Sequence, residues 1–259
     1  MYTDLQRREV FHLLFLRAYA RAVPITSFIL KGGSNLRFFF GSVRYSEHID
    51  LDARGIPIPT LAVKVMAVLA SPGFLDALRP FGIERIQPPA LPRAKQTETV
   101  QRFKVHLLTI AGEDLFTKIE FSRRGLDTEF TSSSVSATSL AAYRLPPIVV
   151  PHYTAIAAAR QKVRALIQRQ VPEARDVFDL YTLSSQPEVL ATNPSQSFTA
   201  RKIQDAIERV YTLEYHQFRD TVIDYLSPED RSVYDSQRQW DEIRLRVATL
   251  LHGGNRERG

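Results

Sequence analysis

The sequence contains no cysteine. Disulfide frameworks, thiolate nucleophiles, zinc ribbons and iron-sulfur clusters are thereby excluded, and any metal must rest on oxygen or histidine. Long apolar runs are also missing. The longest stretch without a charged residue, 145–159, is interrupted by Pro146, Pro147 and Pro151, whereas a membrane-spanning helix needs roughly 20 apolar residues in succession. Near the N-terminus Arg7, Arg8, Glu9 and Arg17 fall among the apolar positions, so the uninterrupted hydrophobic segment of a signal peptide is absent. A cytoplasmic location, with no membrane partner, is the expectation.

What is present bounds the answer further. The 259 residues suggest one large or two small packed units at roughly 150 residues per domain. Hydrophobic residues make up 44% and charged residues 24%, enough apolar surface for a real core. The 34 basic and 28 acidic residues give a net charge of +6. That balance favours polyanionic partners such as nucleic acid or nucleotides, and equally describes a merely basic surface.

Periodicity places the elements. Residues 4–22 carry Phe11, Leu14, Phe15, Ala18 and Ala22 at helical spacing, with arginines on the other side. Thr26 to Leu30 reads as a strand ending at Lys31-Gly32-Gly33-Ser34, after which Asn35 to Phe40 turns as a short helix stopped by Gly41. Ser46 to Ala53 alternates His48, Asp50 and Asp52 against Ile49 and Leu51, a strand with one acidic face. Pro57 to Leu78 fits a crossover helix, and Pro80 to Pro92 a proline-rich connection. Thr99 to Ile110 and Leu115 to Phe121, joined by a tight turn at Ala111 to Asp114, read as a β-hairpin with Lys118 and Glu120 on its polar side. Serine-rich residues from Asp127 to Ala142, then prolines, mark a boundary. Beyond it helices are expected at 153–170, 173–184, 199–210, 214–226 and 237–251.

Three features could carry chemistry. Paired glycines at Lys31-Gly32-Gly33-Ser34 let backbone N–H groups approach a phosphate at the positive end of a helix; a plain turn has the same composition. Asp50 and Asp52, two residues apart on a strand, project to one side about 7 Å apart, which suits a hard divalent ion or simply a solvated edge. Glu120 could complete a three-carboxylate site, or pair with Lys118. Lys162 lies off the apolar stripe of its helix, on a basic face with Arg160, Arg164 and Arg169. Asp176 and Asp179 are one turn apart, and Arg175 can reach Asp179 at i,i+4.

A glycine-serine turn, a short helix, an Asp-x-Asp strand and a third acid on a later strand is the order used by polymerase-β-like nucleotidyltransferases. The run KGGSNLRFFFGSVRYSEHIDLD, with TKIEFSRR, AAARQKVRALIQR and EARDVFDLYTL, resembles the AbiEii/AbiGii nucleotidyltransferase-like toxins over most of residues 26–185. The resemblance implies an α+β fold, with a nucleotidyltransferase domain of mixed sheet over residues 1–145 and a helical domain over 146–259. It implies transfer of a nucleoside monophosphate from an NTP to an acceptor hydroxyl with magnesium, and a cognate antitoxin; it suggests a tRNA end as the acceptor, with a protein hydroxyl and a small molecule such as an aminoglycoside as the open alternatives. Carried over, Asp50, Asp52 and Glu120 would hold metal, and Lys162 and Asp179 would join them in catalysis. Lys31, Gly32, Gly33, Ser34 and Asp176 would hold the nucleotide. Many members place an aspartate where this chain has His48, so the metal pair maps onto 48 and 50 or onto 50 and 52, and magnesium's preference for carboxylate favours the second. The rival reading is a degenerate member that only binds nucleic acid or a partner protein.

Overall fold

The computed structural model describes residues 2–90, 96–124 and 128–253. The ends of two expected connections, Pro92 and Asp127, lie outside them. The chain divides into two compact units, one of residues 1–39 and 45–153, the other of 40–44 and 154–259.

The first unit opens with α1 (Asp4–Ala22), started by a capping box in which Thr3 and Gln6 satisfy each other's backbone N–H groups. Strand β1 (Phe28–Lys31) runs straight into α2 (Gly32–Phe39), and β2 (His48–Ala53) returns antiparallel to β1. The expected single crossover helix is two, α3 (Ile58–Leu69) and α4 (Pro72–Leu78), because Pro72 starts a new helix rather than continuing the old one. Then come β3 (Ile83–Gln87), the hairpin β4 (Val100–Thr109) and β5 (Asp114–Ser122), β6 (Phe130–Ser134), α5 (Ala137–Ala141) and β7 (Val149–Tyr153).

Among the described residues seven strands form one mixed sheet in the order β3-β4-β5-β2-β1-β7-β6, parallel at β2/β5 and β1/β7. Two of these strands, β6 and β7, fall where serines and prolines suggested only a boundary. A strand residue directs its N–H to one neighbour, so Pro151 removes at most one ladder bond and does not bar β7 from the sheet. The first unit therefore runs through Tyr153, past the expected break after residue 145.

Alternation sorts the sheet's two faces. Leu30, Ile49, Leu51, Phe103, Val105, Ile119 and Phe121 are fully buried and join Phe11, Leu14 and Phe15 of α1 in one core, each such side chain contributing about 1.5–3 kcal/mol. The other face carries the polar residues. The arginines of α1 are not all outward as its pattern suggests: Arg7 and Glu9 are buried, Arg7 paired with Asp4 and Glu113, and Glu9 with Arg37 and the Tyr143 hydroxyl.

The second unit is helical: α6 (Ala155–Gln168), α7 (Ala174–Leu183), α8 (Pro187–Ala191), α9 (Ala200–Thr212), α10 (Tyr215–Thr221), α11 (Pro228–Tyr234) and α12 (Gln237–Gly253). Thr154 and Thr199 cap α6 and α9. Trp240 anchors the core, stacked on Phe218 at 4.5 Å with its indole N–H donating to the Leu213 carbonyl. No single helix among the described residues is long and apolar enough to cross a membrane.

Candidate active site

In the first unit the sheet's polar face gathers most of the expected residues. Antiparallel pairing sets Lys31 opposite Asp50, and parallel pairing sets Glu120 beside Asp50 and Lys118 beside His48. Directly after Lys31 the chain turns at Gly32, whose φ of +69° favours glycine. A Cβ there would sit 2.8 Å from Asp50 Oδ2, so only glycine lets the turn and the N-terminus of α2 approach this carboxylate.

The three acids differ sharply in their surroundings. Asp52 is 3% exposed; Lys31 Nζ lies 2.5 Å from its Oδ1, and the Tyr153 hydroxyl donates to Oδ2 at 2.6 Å. Glu120 is half-buried and gathers cations at one oxygen, with Arg102 Nε at 2.8 Å and Lys118 Nζ at 3.4 Å from Oε2. Burial alone would raise the Glu120 carboxyl, but Arg102 and Lys118 outweigh it and hold it below the usual carboxylate range. Asp50 is half-buried and has no hydrogen-bond or ion-pair partner among the described residues. The three acids thus share a face without converging, and among the described residues no three His, Asp or Glu side chains form a metal cage.

His48 precedes Asp50 on the same face. Burial, then Lys118, lowers its pKa below the ordinary imidazole value, which keeps it neutral at pH 7. Ser34 is 1% exposed and its hydroxyl donates to the His48 carbonyl at 3.0 Å. That bond ties α2 to β2. The backbone N–H groups of Gly33 and Ser34 remain at the N-terminus of α2, where helical geometry leaves the first four without an intrahelical acceptor.

The second unit holds the remaining residues. Asp176 and Asp179 are fully buried. Lys162 Nζ lies 3.0 Å from Asp176 Oδ1 and 2.6 Å from Asp179 Oδ2, Arg44 Nη2 lies 3.0 Å from Asp179 Oδ1, and Arg169 Nε lies 2.9 Å from Asp176 Oδ2. Burial would lower the Lys162 pKa, yet Asp179 and Asp176 raise it; Asp179 is lowered because Arg44 and Lys162 outweigh burial. The basic face expected on α6 is accordingly not an open one, since Lys162 and Arg169 both turn to carboxylates on α7. Arg175 pairs with Glu173, not with Asp179 as helical spacing suggested.

Three partners escaped the sequence reading. Arg102 was recoverable, because the tight turn of the hairpin fixes the register that sets it opposite Glu120. Tyr153 and Arg44 carried no signal: they reach Asp52 and Asp179 across 101 and 135 residues of chain.

Known structures share this architecture. The nucleotidyltransferase toxin MenT4 from Mycobacterium tuberculosis superposes with a TM-score of 0.65 at 18% identity, over 96% of this chain and 84% of that one. A putative nucleotidyltransferase from Helicobacter pylori gives 0.58 at 18% identity, over 99% and 97%, and JHP933 from Helicobacter pylori gives 0.57 at 16%, over 99% and 94%. At these identities the likeness establishes the fold alone. A search of curated protein sequences finds no significant match. The family model for the nucleotidyl transferase AbiEii toxin of type IV toxin–antitoxin systems matches residues 14–251. The glycine turn pressed against a free aspartate on a mixed sheet and the helical unit that follows thus belong to one pattern, and the chain is a member of the AbiEii nucleotidyltransferase toxin family.

Proposed function

We propose that this nucleotidyltransferase moves a nucleoside monophosphate from an NTP to a hydroxyl of RNA, with a tRNA end as acceptor, and that a cognate antitoxin counteracts it. The observation that carries the reading is Asp50: a carboxylate with no partner among the described residues, against a glycine turn and a helix N-terminus, on a face where Asp52 and Glu120 are both ion-paired.

A hard divalent ion such as magnesium fits the donors available. Asp50 offers free carboxylate oxygen, and Asp52 on the same face can join once Lys31 releases its oxygen. Such an ion, when bound, neutralises charge on the triphosphate and its leaving group. The chain's own groups supply the rest. N–H groups of Gly33 and Ser34 hold phosphate oxygens at the start of α2. Lys31, once freed, stands as a point charge beside the same phosphates. The acceptor oxygen attacks the α-phosphorus, the bond to the bridging oxygen breaks, and pyrophosphate leaves. Glu120 orients the acceptor hydroxyl through Oε1, the oxygen its cations leave open; its lowered pKa makes it a weak base, so the proton passes chiefly to water. In the helical unit two of the three Lys162 donors are taken by Asp176 and Asp179, which leaves one for a phosphate oxygen. The net charge of +6 supports a polyanionic acceptor.

Incubation with each α-labelled NTP, magnesium and total tRNA or total cell protein tests this. Label entering the tRNA fraction is the expected result. Label in protein instead would replace the acceptor, and no label together with no metal-dependent NTP binding would leave the binding-only reading in its place.

A further inference from the structure

The helical unit holds a concavity that the proposed chemistry does not use. Phe40, Gly41 and Val43 of the loop 40–44, Tyr181, Thr182 and Ser185 at the end of α7, Tyr234 of α11 and Arg246 of α12 line a cavity of about 240 Å³. Its size is informative. Pockets for drug-sized ligands run to roughly 300–1,000 Å³, so a whole nucleoside triphosphate is too large and one flat ring with a small substituent is not.

The walls select such a ring. Tyr181 and Tyr234 meet nearly at right angles, 82° with centroids 6.5 Å apart, so a planar group can stack on one and meet the edge of the other. Phe178 braces Tyr234 edge-on at 5.4 Å, which fixes that wall from behind. Hydroxyls of Ser185 and Thr182 lie at the rim, donating to the Thr182 and Phe178 carbonyls and keeping lone pairs for donors of a ligand. Burial, with Tyr181 and Asp230 nearby, raises the pKa of the Tyr234 phenol, which therefore stays protonated.

Among the described residues the lining carries one cation, Arg246. Arg246 is exposed, its guanidinium lies 5.2 Å from the Tyr181 ring centre, and its Nε donates to Ser184 Oγ at 2.8 Å. That bond orients the guanidinium, while its terminal amino groups have no partner among the described residues. Among the described residues no carboxylate lines the cavity. An oriented arginine over an aromatic bed is the arrangement that holds a base by its face and the adjoining phosphate by charge.

We propose that this cavity seats one nucleotide unit, its base among Phe40, Tyr181 and Tyr234 and its phosphate on Arg246. The unit can come from a single-stranded RNA chain or from a free mononucleotide. The proposal uses none of the residues of the Asp50 reading and stands whether or not that reading holds.

The full chain is titrated with a labelled eight-nucleotide single-stranded RNA containing 4-thiouridine, read by anisotropy and by photocrosslinking. AMP, CMP and inorganic phosphate serve as competitors. Two variants accompany it: Arg246→Gln, which removes the cation, and Ser185→Trp, which fills the cavity from its exposed rim, with thermal melts to show that both fold. The expected result is about tenfold weaker binding in each variant, a salt slope smaller by about one in Arg246→Gln, and crosslinks in the 181–185 or 234–246 peptides. Metal-dependent NTP binding measured in parallel stays as in the parent chain. Competition by AMP or CMP assigns a free-nucleotide site, and its absence assigns a site for chain-linked nucleotides; both support the proposal. Parent-like RNA binding in both folded variants overturns it, as does competition by phosphate equal to that by AMP.

Discussion

Two pairs of aspartates, one in each unit, look alike in the sequence and live in different physical worlds. Asp176 and Asp179 are fully buried and ringed by Lys162, Arg44 and Arg169. Charges taken that far from water persist only when paired, and each cation there is matched to a carboxylate. On β2, by contrast, Asp52 is buried and capped by Lys31 and Tyr153, while Asp50 is half-exposed and has no partner among the described residues. The acids buried in the core are neutralised, whereas Asp50, with no partner among the described residues and a glycine in front of it, keeps its oxygens available, which is why the proposed function rests on it. The difference separates a carboxylate that builds the fold from one that the proposed reading assigns to the chemistry.

Substitution should separate the two pairs most strongly at their extremes. Asp50→Asn is expected to lower turnover about 10³-fold or more while leaving the melting temperature within roughly 2 °C, because no bond in the fold depends on it. Label transfer and far-UV melts on one preparation decide this, and near-normal turnover would remove the contrast. Asp179→Asn should do the reverse. Breaking a buried pair costs about 3–5 kcal/mol, or roughly 10 °C in a chain of this size. The single tryptophan, Trp240, sits in the core of the same unit, so its fluorescence reports that unit's unfolding. A folded Asp179→Asn variant with parent-like melting but lost turnover would move this aspartate from the fold to the chemistry.

Acid should also reach the two units at different pH. His12 is held near a pKa of about 3 by burial, then by His48 and Arg8, and His152 near about 4, also by burial. Both stay neutral when folded but bind protons when unfolded below the ordinary value of 6.5, so stability falls as pH drops from 6.5. At pH 5 the loss is about 2 kcal/mol for each. In the helical unit Asp179, whose pKa is depressed, keeps its contribution above its ordinary value of 3.8 and loses it only as pH falls through the folded value. Lys162, whose pKa is raised, keeps its contribution below its ordinary 10.5 and loses it as pH rises through the folded value. Far-UV melts should therefore weaken between pH 6.5 and 4.5 before the Trp240 signal does; a parallel decline of the two would erase the distinction.

The smallest effects sharpen the register of the acidic strand. Asp52→Asn removes an ion pair and a charge-assisted hydrogen bond, and about 1–3 kcal/mol of stability should go with it. His48→Ala should cost less stability, since its Nδ1 is buried with no partner among the described residues. If His48→Ala lowers turnover more than Asp52→Asn does, the metal pair occupies 48 and 50.

Much of this was legible beforehand, for identifiable reasons. Alternation named the polar face of β2 and the hairpin after it, because a strand exposes its period of two whatever surrounds it. Helical spacing found α6, α7 and α9 for the same reason at its own period. β7 was not legible, since Pro151 argues against a strand and only its neighbours β1 and β6 supply the ladder that overrides it. The partners of Ser34 and Lys162 were not legible, because a polar residue off an apolar stripe is free only until another element brings it a partner.

By itself, then, the sequence determined where chain direction, face and charge change, since backbone geometry and side-chain period are local. It also determined the family, through the glycine turn and the acids placed in order along the chain. Which acid stays free was decided only by the tertiary structure. Lys31, Tyr153, Arg102 and Arg44 reach their carboxylates across 18 to 135 residues, and the Coulomb energy that neutralises a buried charge depends on distance in space, which spacing along the chain does not encode.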